Sequence, residues 1–412
     1  MLGMRIKRRV AALLRALLLR WAQGPRRDAK GGRPRVYILL MSAWGMGGTI
    51  RTTMNVARHL AAENDVEILS MVRRRDHPVF EFPPGVTVTA VDDHRGNGLL
   101  QRLLRTQRSL LMLPEERSSQ ACSLWTDVML VRALRKRPPG ILIGTRPSLD
   151  FLITDLALPG FLKVGQEHVN YSVRRKPIKK AIRKYFPLLD LLLVLTQADL
   201  DKYRELFGDS VRVEQVPNAV PPAAGAPSSL SGTTVLAAGR LTPQKGFDRL
   251  IPAFALVVER HPDWKLRICG GGPQQKRLQK MIDKRGLSGN IELAGQVDNM
   301  PEQMSEAAMF VLSSRFEGFP MVLLEAMGKG LPIVSFDCPT GPREVIEDHV
   351  NGLLLPPGDV GALAAAMNEM IEDEELRRRC GQGALATAER YSLEVIGARW
   401  DEVLGDLRAT SP

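Results

Sequence analysis

The chain has 412 residues, with 57 Lys and Arg against 45 Asp and Glu, for a net charge of +12. That length exceeds one ordinary core, so two domains are expected. No run of 18 apolar residues occurs, so no membrane-spanning helix is expected. The basic excess points to an anionic partner, such as nucleic acid, an acidic membrane surface or a phosphate-bearing substrate. The alternative is only a solvated, arginine-rich surface. Cys122, Cys269, Cys338 and Cys380 are scattered without C-x-x-C spacing, which argues against a metal site or a disulfide framework and fits a reducing compartment.

Residues 1–32 form a basic amphipathic segment. In "RIKRRVAALLRALLLRWAQGPRR" the residues Leu13, Leu14, Leu17 and Leu18 fall at helical spacing, with Trp21 at the end and arginines around them. Arg15 and Arg20 interrupt the apolar run and no small-residue cleavage site follows, so a signal peptide fits poorly. The pattern suits a helix in an anionic lipid interface. A helix packed on the domain or a free basic tail are the alternatives.

From residue 33 to 221, strands and helices alternate. "RVYILLMS" reads as a buried strand and "TIRTTMNVARHLAAE" as a helix with Met54, Ala57, Leu60 and Ala61 on one face. "DVEILSMV" and "VTVTAVD" are further strands. Arg95 to Glu116 is basic and poorly patterned. "GILIGTR", "FLKVGQEH", "DLLLVLT" and "VRVEQVP" then alternate with helical segments. Such alternation means β-α-β units and a parallel sheet. The Pro/Ala/Ser-rich stretch around 222–232 reads as a linker. A second alternation fills 233–390 through "TVLAAGR", "WKLRICG", "NIELAGQV", "MFVLSSR", "LPIVSFDC" and "NGLLLPP". Residues 391–412 read as a C-terminal helix crossing back to the first domain. The fold expected is α/β: two Rossmann-like, doubly wound parallel-sheet domains facing a cleft.

Ligands in open parallel sheets sit outside the carboxyl ends of the strands, so the loops there should carry the chemistry. After the first strand, "AWGMGGTIRTT" offers Gly45, Gly47 and Gly48 before a helix, which suits a phosphate or a sugar. Ile50 stands where G-x-G-x-x-G needs its third glycine, so a nicotinamide site is a weak reading. In the second domain, Arg240 ends a strand and Lys245 follows in "LTPQKGFDRL", and two cations before a helix suit a diphosphate. Gly270 to Gly272 in "CGGGP" let backbone come close to a ligand. "RFEGFPMVLLEAMGKG" places Glu317 on a Gly-Pro loop and Glu325 inside the following helix, with Pro320 suited to its first turn. Carboxylates only accept hydrogen bonds and sugar hydroxyls donate them. The pair therefore reads as a sugar-nucleotide cradle facing the interdomain cleft.

With these residues, the stretch from about Val213 to Tyr391 resembles the GT-B retaining glycosyltransferases of family 4. The signature is E-x7-E, Glu317 to Glu325, set among "GRLTPQKGFDRLI", "GGGP", "SSRFEGFP", "GKGLPIVSFDCPTGPREVI" and "NGLLLPPGD". The first half shares only the glycine loop and "QEH". The resemblance implies that Arg240 and Lys245 hold the donor diphosphate and Glu325 accepts from ribose hydroxyls. Glu317 would contact the transferred hexose, with Gly318 and the backbone of Phe319, Pro320 and Met321 close to the hexose and phosphates. Gly47, Gly48 and Gly271 join the donor set, His168 would face the transferred sugar, and Asn218 would mark a hinge turn. The catalytic set is then His168, Glu317, Arg240 and Lys245. The reaction implied moves a hexose from a nucleotide sugar, most often UDP-linked, to a glycan, lipid-linked or polymer acceptor in cell-envelope or polysaccharide biosynthesis. Configuration would be retained by a front-face route, with the leaving phosphate assisting deprotonation of the acceptor. The family needs no metal and implies no nucleic-acid partner. A literal D-x-D, Asp199-Leu200-Asp201, opens a helix, where the helix dipole explains it better than Mg²⁺. The location implied is cytoplasmic, peripheral on the inner membrane face. A sugar-nucleotide epimerase on the same fold and an inactive sugar-binding scaffold are the competing readings. The first would need acid and base carboxylates in the first half, and none is clearly placed there. The second sits badly with intact Arg240, Lys245, Glu317 and Glu325.

Overall fold

The computed structural model describes residues 2–24, 32–96, 98–220 and 225–410. Arg26 and Arg27 of the basic segment, and residues 222–224 of the expected linker, lie outside the described residues. The chain divides into two units: Met1–Val216 with Gly397–Pro412, and Pro217–Ile396.

The first unit holds strands β1 (Arg35–Leu40), β2 (Asp65–Arg73), β3 (Val86–Asp93), β4 (Ile141–Gly144), β5 (Leu162–Gln166), β6 (Leu191–Val194) and β7 (Val213–Gln215). They form one parallel sheet in the order β3-β2-β1-β4-β5-β6-β7. Its helices are α1 (Leu2–Ala22), α2 (Gly48–Leu60), α3 (Leu99–Arg105), α4 (Leu124–Arg135), α5 (Pro147–Leu156), α6 (Lys176–Tyr185) and α7 (Gln197–Phe207). Strands such as "ILIG" and "LLLV" are buried at every residue. A parallel sheet covered on both faces imposes that pattern, which is why these strands read as continuous apolar runs rather than alternating ones.

The second unit holds β8 (Thr234–Ala238), β9 (Lys265–Cys269), β10 (Ile291–Gly295), β11 (Met309–Leu312), β12 (Ile333–Phe336) and β13 (Gly352–Leu355). Their order is β10-β9-β8-β11-β12-β13, again all parallel. The helices are α8 (Phe247–Arg260), α9 (Gln275–Lys284), α10 (Met300–Glu306), α11 (Met321–Met327), α12 (Pro342–Val345), α13 (Val360–Glu372) and α14 (Glu374–Arg390), and α15 (Leu393–Ala409) starts here and groups with the first unit from Gly397. In both sheets the chain winds outward one way and then returns to the centre to wind the other way. That reversal leaves a crevice at the strand ends, between β1 and β4 in one unit and between β8 and β11 in the other.

Two elements depart from the sequence reading, and the N-terminal helix takes one of its alternatives. The stretch from Arg95 to Glu116 contains α3, whose Leu99, Leu100 and Leu103 face solvent, so no buried periodicity announced it. The basic N-terminal helix does not stand apart from the first domain. It belongs to the first unit, burying Leu18 and Ala22 and pairing Arg15 with Asp155. The described part of the expected linker is tied down within the second unit. Lys329 donates to the Ala226 carbonyl at 2.9 Å and Ser228 Oγ to that of Ala307 at 2.5 Å. Residues 397–412 group with the first unit, where Asp401 meets His59 at 2.7 Å and Arg408 donates to Asn64 at 2.6 Å.

Candidate functional site

The second unit's crevice is built from two loops, one after β8 and one after β11. Hydrogen bonds lace them together. Ser313 Oγ donates to the Lys245 carbonyl at 3.0 Å, Arg315 N to the Gln244 carbonyl at 2.8 Å, and Gln244 Nε2 to the Phe316 carbonyl at 3.1 Å. Arg315 grips Asp248 of α8 through two bonds of 2.9 Å and donates to the Pro243 carbonyl at 2.6 Å. The Arg315 guanidinium holds the Asp248 carboxyl below its usual range.

This lacing brings together two of the residues singled out from sequence. Lys245 Nζ donates to Glu317 Oε1 at 2.6 Å, and Ser314 Oγ donates to the same oxygen at 2.5 Å. The Glu317 side chain is 8% exposed and that of Lys245 18%. A carboxylate so withdrawn from water needs a charged partner or it would be strongly destabilising. The Glu317 amide is itself fixed by the Pro339 carbonyl at 2.8 Å. Burial, and secondarily the negative charge of Glu317, push the neighbouring Cys338 thiol up to about 12, so it stays protonated and unreactive.

Arg240 stands two residues beyond β8. It is exposed, and its guanidinium makes no hydrogen bond or ion pair with a described residue. Lys245 ends a short 3-10 turn, Pro243–Lys245, just before α8. Phe319 is buried, its ring 5.7 Å from that of Tyr391. Pro320 is the residue immediately before α11 rather than in its first turn, and Met321 begins the helix. Gly341 packs onto this corner: a Cβ there would stand 2.3 Å from Pro320 Cδ and 3.0 Å from the Gly318 carbonyl oxygen. Glu325 is half-buried on α11.

The glycines of "CGGGP" answer a demand that sequence did not show. A Cβ on Gly270 would stand 2.0 Å from the Gly239 carbonyl oxygen, and one on Gly272 would stand 2.5 Å from that of Leu241. Chain approaches chain here, and only hydrogen fits. Gly271 alone meets nothing closer than the Gln296 side chain, at 3.5 Å.

In the first unit the loop after β1 is pinned at its start. Ala43 N donates to Ser70 Oγ at 2.9 Å, and Trp44 lies edge-on to Phe82 with the Arg73 guanidinium 4.6 Å above its ring. Its far end is open. Gly47 has φ 151°, and a Cβ on either Gly47 or Gly48 would meet nothing within 4 Å.

His168 lies two residues beyond β5. Its Nε2 is buried and makes no hydrogen bond among the described residues. Burial first, and then the Arg146 and Arg174 charges, pull its pKa down to about 3, so the imidazole is neutral. It sits beside a group of polar side chains that sequence reading missed apart from its neighbour in "QEH". Glu167 accepts from Arg174 at 2.9 Å on each oxygen and from the Tyr203 hydroxyl at 3.1 Å. Burial still pushes the Glu167 carboxyl up to about 7. Burial, with Glu167 and Glu116 nearby, raises Asp150 well above the carboxylate range, so it is protonated. Gly144 makes room for it, since a Cβ there would stand 2.1 Å from Asp150 Oδ1. Glu116 accepts from Ser148 N at 2.9 Å in the first turn of α5, and Arg146 reaches it at 3.4 Å. Only the fold collects these residues, whose positions span Glu116 to Tyr203.

The D-x-D carboxylates are both engaged by the protein. Asp199 accepts from Asn170 Nδ2 at 2.8 Å, Tyr171 N at 3.1 Å and Thr196 Oγ1 at 3.1 Å, closing the N-terminus of α7. Asp201 accepts from Gln197 at 2.7 Å. Among the described residues no cluster of three His, Cys, Asp or Glu is disposed to hold a metal ion.

Comparison with known proteins bears on the second unit most directly. Residues 227–386 match the sequence model of glycosyl transferases group 1. An exopolysaccharide phosphotransferase of Streptomyces coelicolor is 35% identical over 385 residues. The match covers 90% of this chain and only 41% of that protein. The amylovoran biosynthesis glycosyltransferase AmsD of Erwinia amylovora is 29% identical over 285 residues, covering 66% of this chain and 79% of its own. Among solved structures, Staphylococcus aureus TarM superposes with a TM-score of 0.74 at 17% identity, over 90% of this chain and 99% of that one, and so shares the fold.

Proposed function

We propose that this chain is a glycosyltransferase of polysaccharide or cell-envelope biosynthesis that moves a hexose from a nucleotide sugar, UDP-linked by preference, to a glycan, lipid-linked or polymer acceptor. The observation that carries the proposal is the Lys245–Glu317 pair. It lies in the second sheet's crevice, inside the stretch that matches the glycosyl transferase model, with Arg240, unengaged among the described residues, on the neighbouring strand end. Crevices of this kind are where doubly wound sheets bind nucleotides.

In this reading Arg240 and Lys245 bind the donor diphosphate. Glu317 turns Lys245 and accepts from hexose hydroxyls, and Glu325 accepts from the ribose. The bond from the anomeric carbon to the diphosphate oxygen breaks, and a bond to the acceptor oxygen forms on the same face, retaining configuration. The acceptor proton passes to the leaving phosphate, whose growing charge the two cations stabilise. No metal takes part. His168 keeps the role that the resemblance implies, as a neutral imidazole. This chain spans less than half of the Streptomyces relative, whose named activity is that of the longer protein. An anionic membrane surface, met through the arginine-rich N-terminal helix, completes the reading.

The test is calorimetry with a panel of nucleoside diphosphates, followed by turnover with the matching donor sugars. UDP should bind most tightly. Arg240→Ala should lose a charge-assisted contact of about 1.5–3 kcal/mol in diphosphate affinity, with unfolding temperature unchanged. Chelator should leave turnover intact. Equal binding of wild type and Arg240→Ala, or no diphosphate binding at all, would refute the donor site.

A further inference from the structure

The first unit carries an apolar surface that the proposed chemistry does not use. Helix α1 is held to the unit by one face, with Leu18 and Ala22 buried, Arg15 paired with Asp155, and the Arg135 guanidinium 5.7 Å over Trp21. The next face around the helix is bare. Val10, Leu13, Leu14 and Leu17 are exposed at helical spacing, Leu13 by 63% and Leu17 by 52%. At about 100° per residue, Arg9 and Arg20 fall just beyond that stripe, on the side away from the packed face.

Helix α3 presents a second apolar ridge. It has no buried residue, and Leu99, Leu100 and Leu103 are exposed by 89%, 60% and 64%. Between the ridges runs a groove of about 350 Å³, walled by Leu14, Leu17 and Trp21 of α1, floored by Leu124 and Val128 of α4, and closed by Leu104 of α3. The exposed leucines on both sides therefore continue into one apolar surface. The charges that α1 and α3 themselves carry have a single sign: neither helix contains a carboxylate. Arg9, Arg20, Arg102 and Arg108 are exposed and make no ion pair among the described residues.

We infer that α1 and α3 together form a two-ridged docking surface for an anionic phospholipid bilayer, with the groove between them taking lipid hydrocarbon. A continuous apolar patch on a soluble unit marks an interaction site. Unpaired arginines beside it fit a negatively charged surface, while leucines and a tryptophan enter the interface. A second copy of the chain on the same patch would set arginines against arginines, which disfavours self-association. The inference rests on the membrane part of the proposal above and not on its donor chemistry. It adds α3, which sequence did not mark.

The experiment is co-sedimentation of the full chain with vesicles of equal phosphatidylglycerol and phosphatidylcholine, and with pure phosphatidylcholine. Wild type should bind the anionic vesicles and not the neutral ones, and release with salt. Leu99→Ser/Leu103→Ser, Leu13→Ser/Leu17→Ser and Arg102→Glu alter exposed positions, so unfolding temperature and diphosphate affinity should not move. Each double variant should bind at least tenfold more weakly. If the α3 variant binds like wild type while the α1 variant does not, the two-ridged surface is wrong and the N-terminal helix acts alone. No binding to anionic vesicles, or equal binding to neutral ones, overturns the membrane reading itself. A wild-type dimer in solution dissolved by the same substitutions would make a second copy the occupant and overturn the inference.

Discussion

The two sheets share a strand order, yet the loops at their crevices use glycine in opposite ways. In the second unit Gly270 and Gly272 face carbonyl oxygens of the adjacent loop at distances no Cβ survives, so they are consumed by the fold. In the first unit Gly47 and Gly48 border empty space. The charges differ in parallel. The second crevice joins one cation to one carboxylate at the edge of solvent, leaving Arg240 over. The first sets a neutral His168 near the Arg146 and Arg174 charges, beside buried acids of which Asp150 is neutral and Glu167 is held by Arg174. A glycine-rich loop is thus not evidence of a ligand until its neighbours are known. The loop with nothing against it is the one with room to bind.

The sharpest way to break this contrast is to put the same methyl group in both loops. Gly270→Ala meets a carbonyl oxygen at 2.0 Å and must hold φ 138°. Overpacking and backbone strain together should cost about 3–5 kcal/mol, read as a large fall in unfolding temperature. Gly48→Ala should leave stability within about 0.5 kcal/mol of wild type and lower turnover if the open loop takes ligand. Equal destabilisation by the two would show that the open loop is also consumed by packing.

A double-mutant cycle at Lys245 and Glu317 sharpens the electrostatic half. Each single alanine should cut turnover at least tenfold, about 1.4 kcal/mol in barrier. Lys245→Ala should also destabilise the fold, because it strands a carboxylate that is 8% exposed. The double variant should lose less than the sum of the singles. Strict additivity would mean that the two side chains act separately in solution.

The effect that is smallest near neutral pH, and grows only in acid, concerns His168. Its folded pKa, about 3, is depressed below the unfolded value near 6.5. Between those values the unfolded chain binds the extra proton. The contribution of neutral His168 is therefore present above pH 6.5 and is lost as pH falls towards 3, at up to about 1.4 kcal/mol per pH unit. His168→Gln should flatten that part of the profile of unfolding temperature against pH. Glu167 acts in the opposite direction: its raised pKa, about 7, means stability is lost as pH rises from about 4.5 to 7. Parallel profiles for wild type and His168→Gln below pH 6.5 would show that the imidazole titrates in solvent.

Sequence by itself determined both sheets, because a strand buried on two faces must be apolar throughout and "VYILL", "LLLV" and "MFVL" have no other stable place. It also determined which strand ends carry Arg240, Lys245, His168 and Glu317, since Arg240 and His168 lie two positions beyond runs that could only be strands, and Lys245 and Glu317 follow on the loops after such runs. Tertiary structure decided what sequence spacing does not encode. Lys245 and Glu317 meet across 72 residues because strand order, not chain distance, puts the β8 and β11 loops side by side. Gly270 is a packing residue because the Gly239 carbonyl happens to face it. The outward leucines of α3 escaped notice because periodicity reveals a helix only when one of its faces is buried, and α3 buries none.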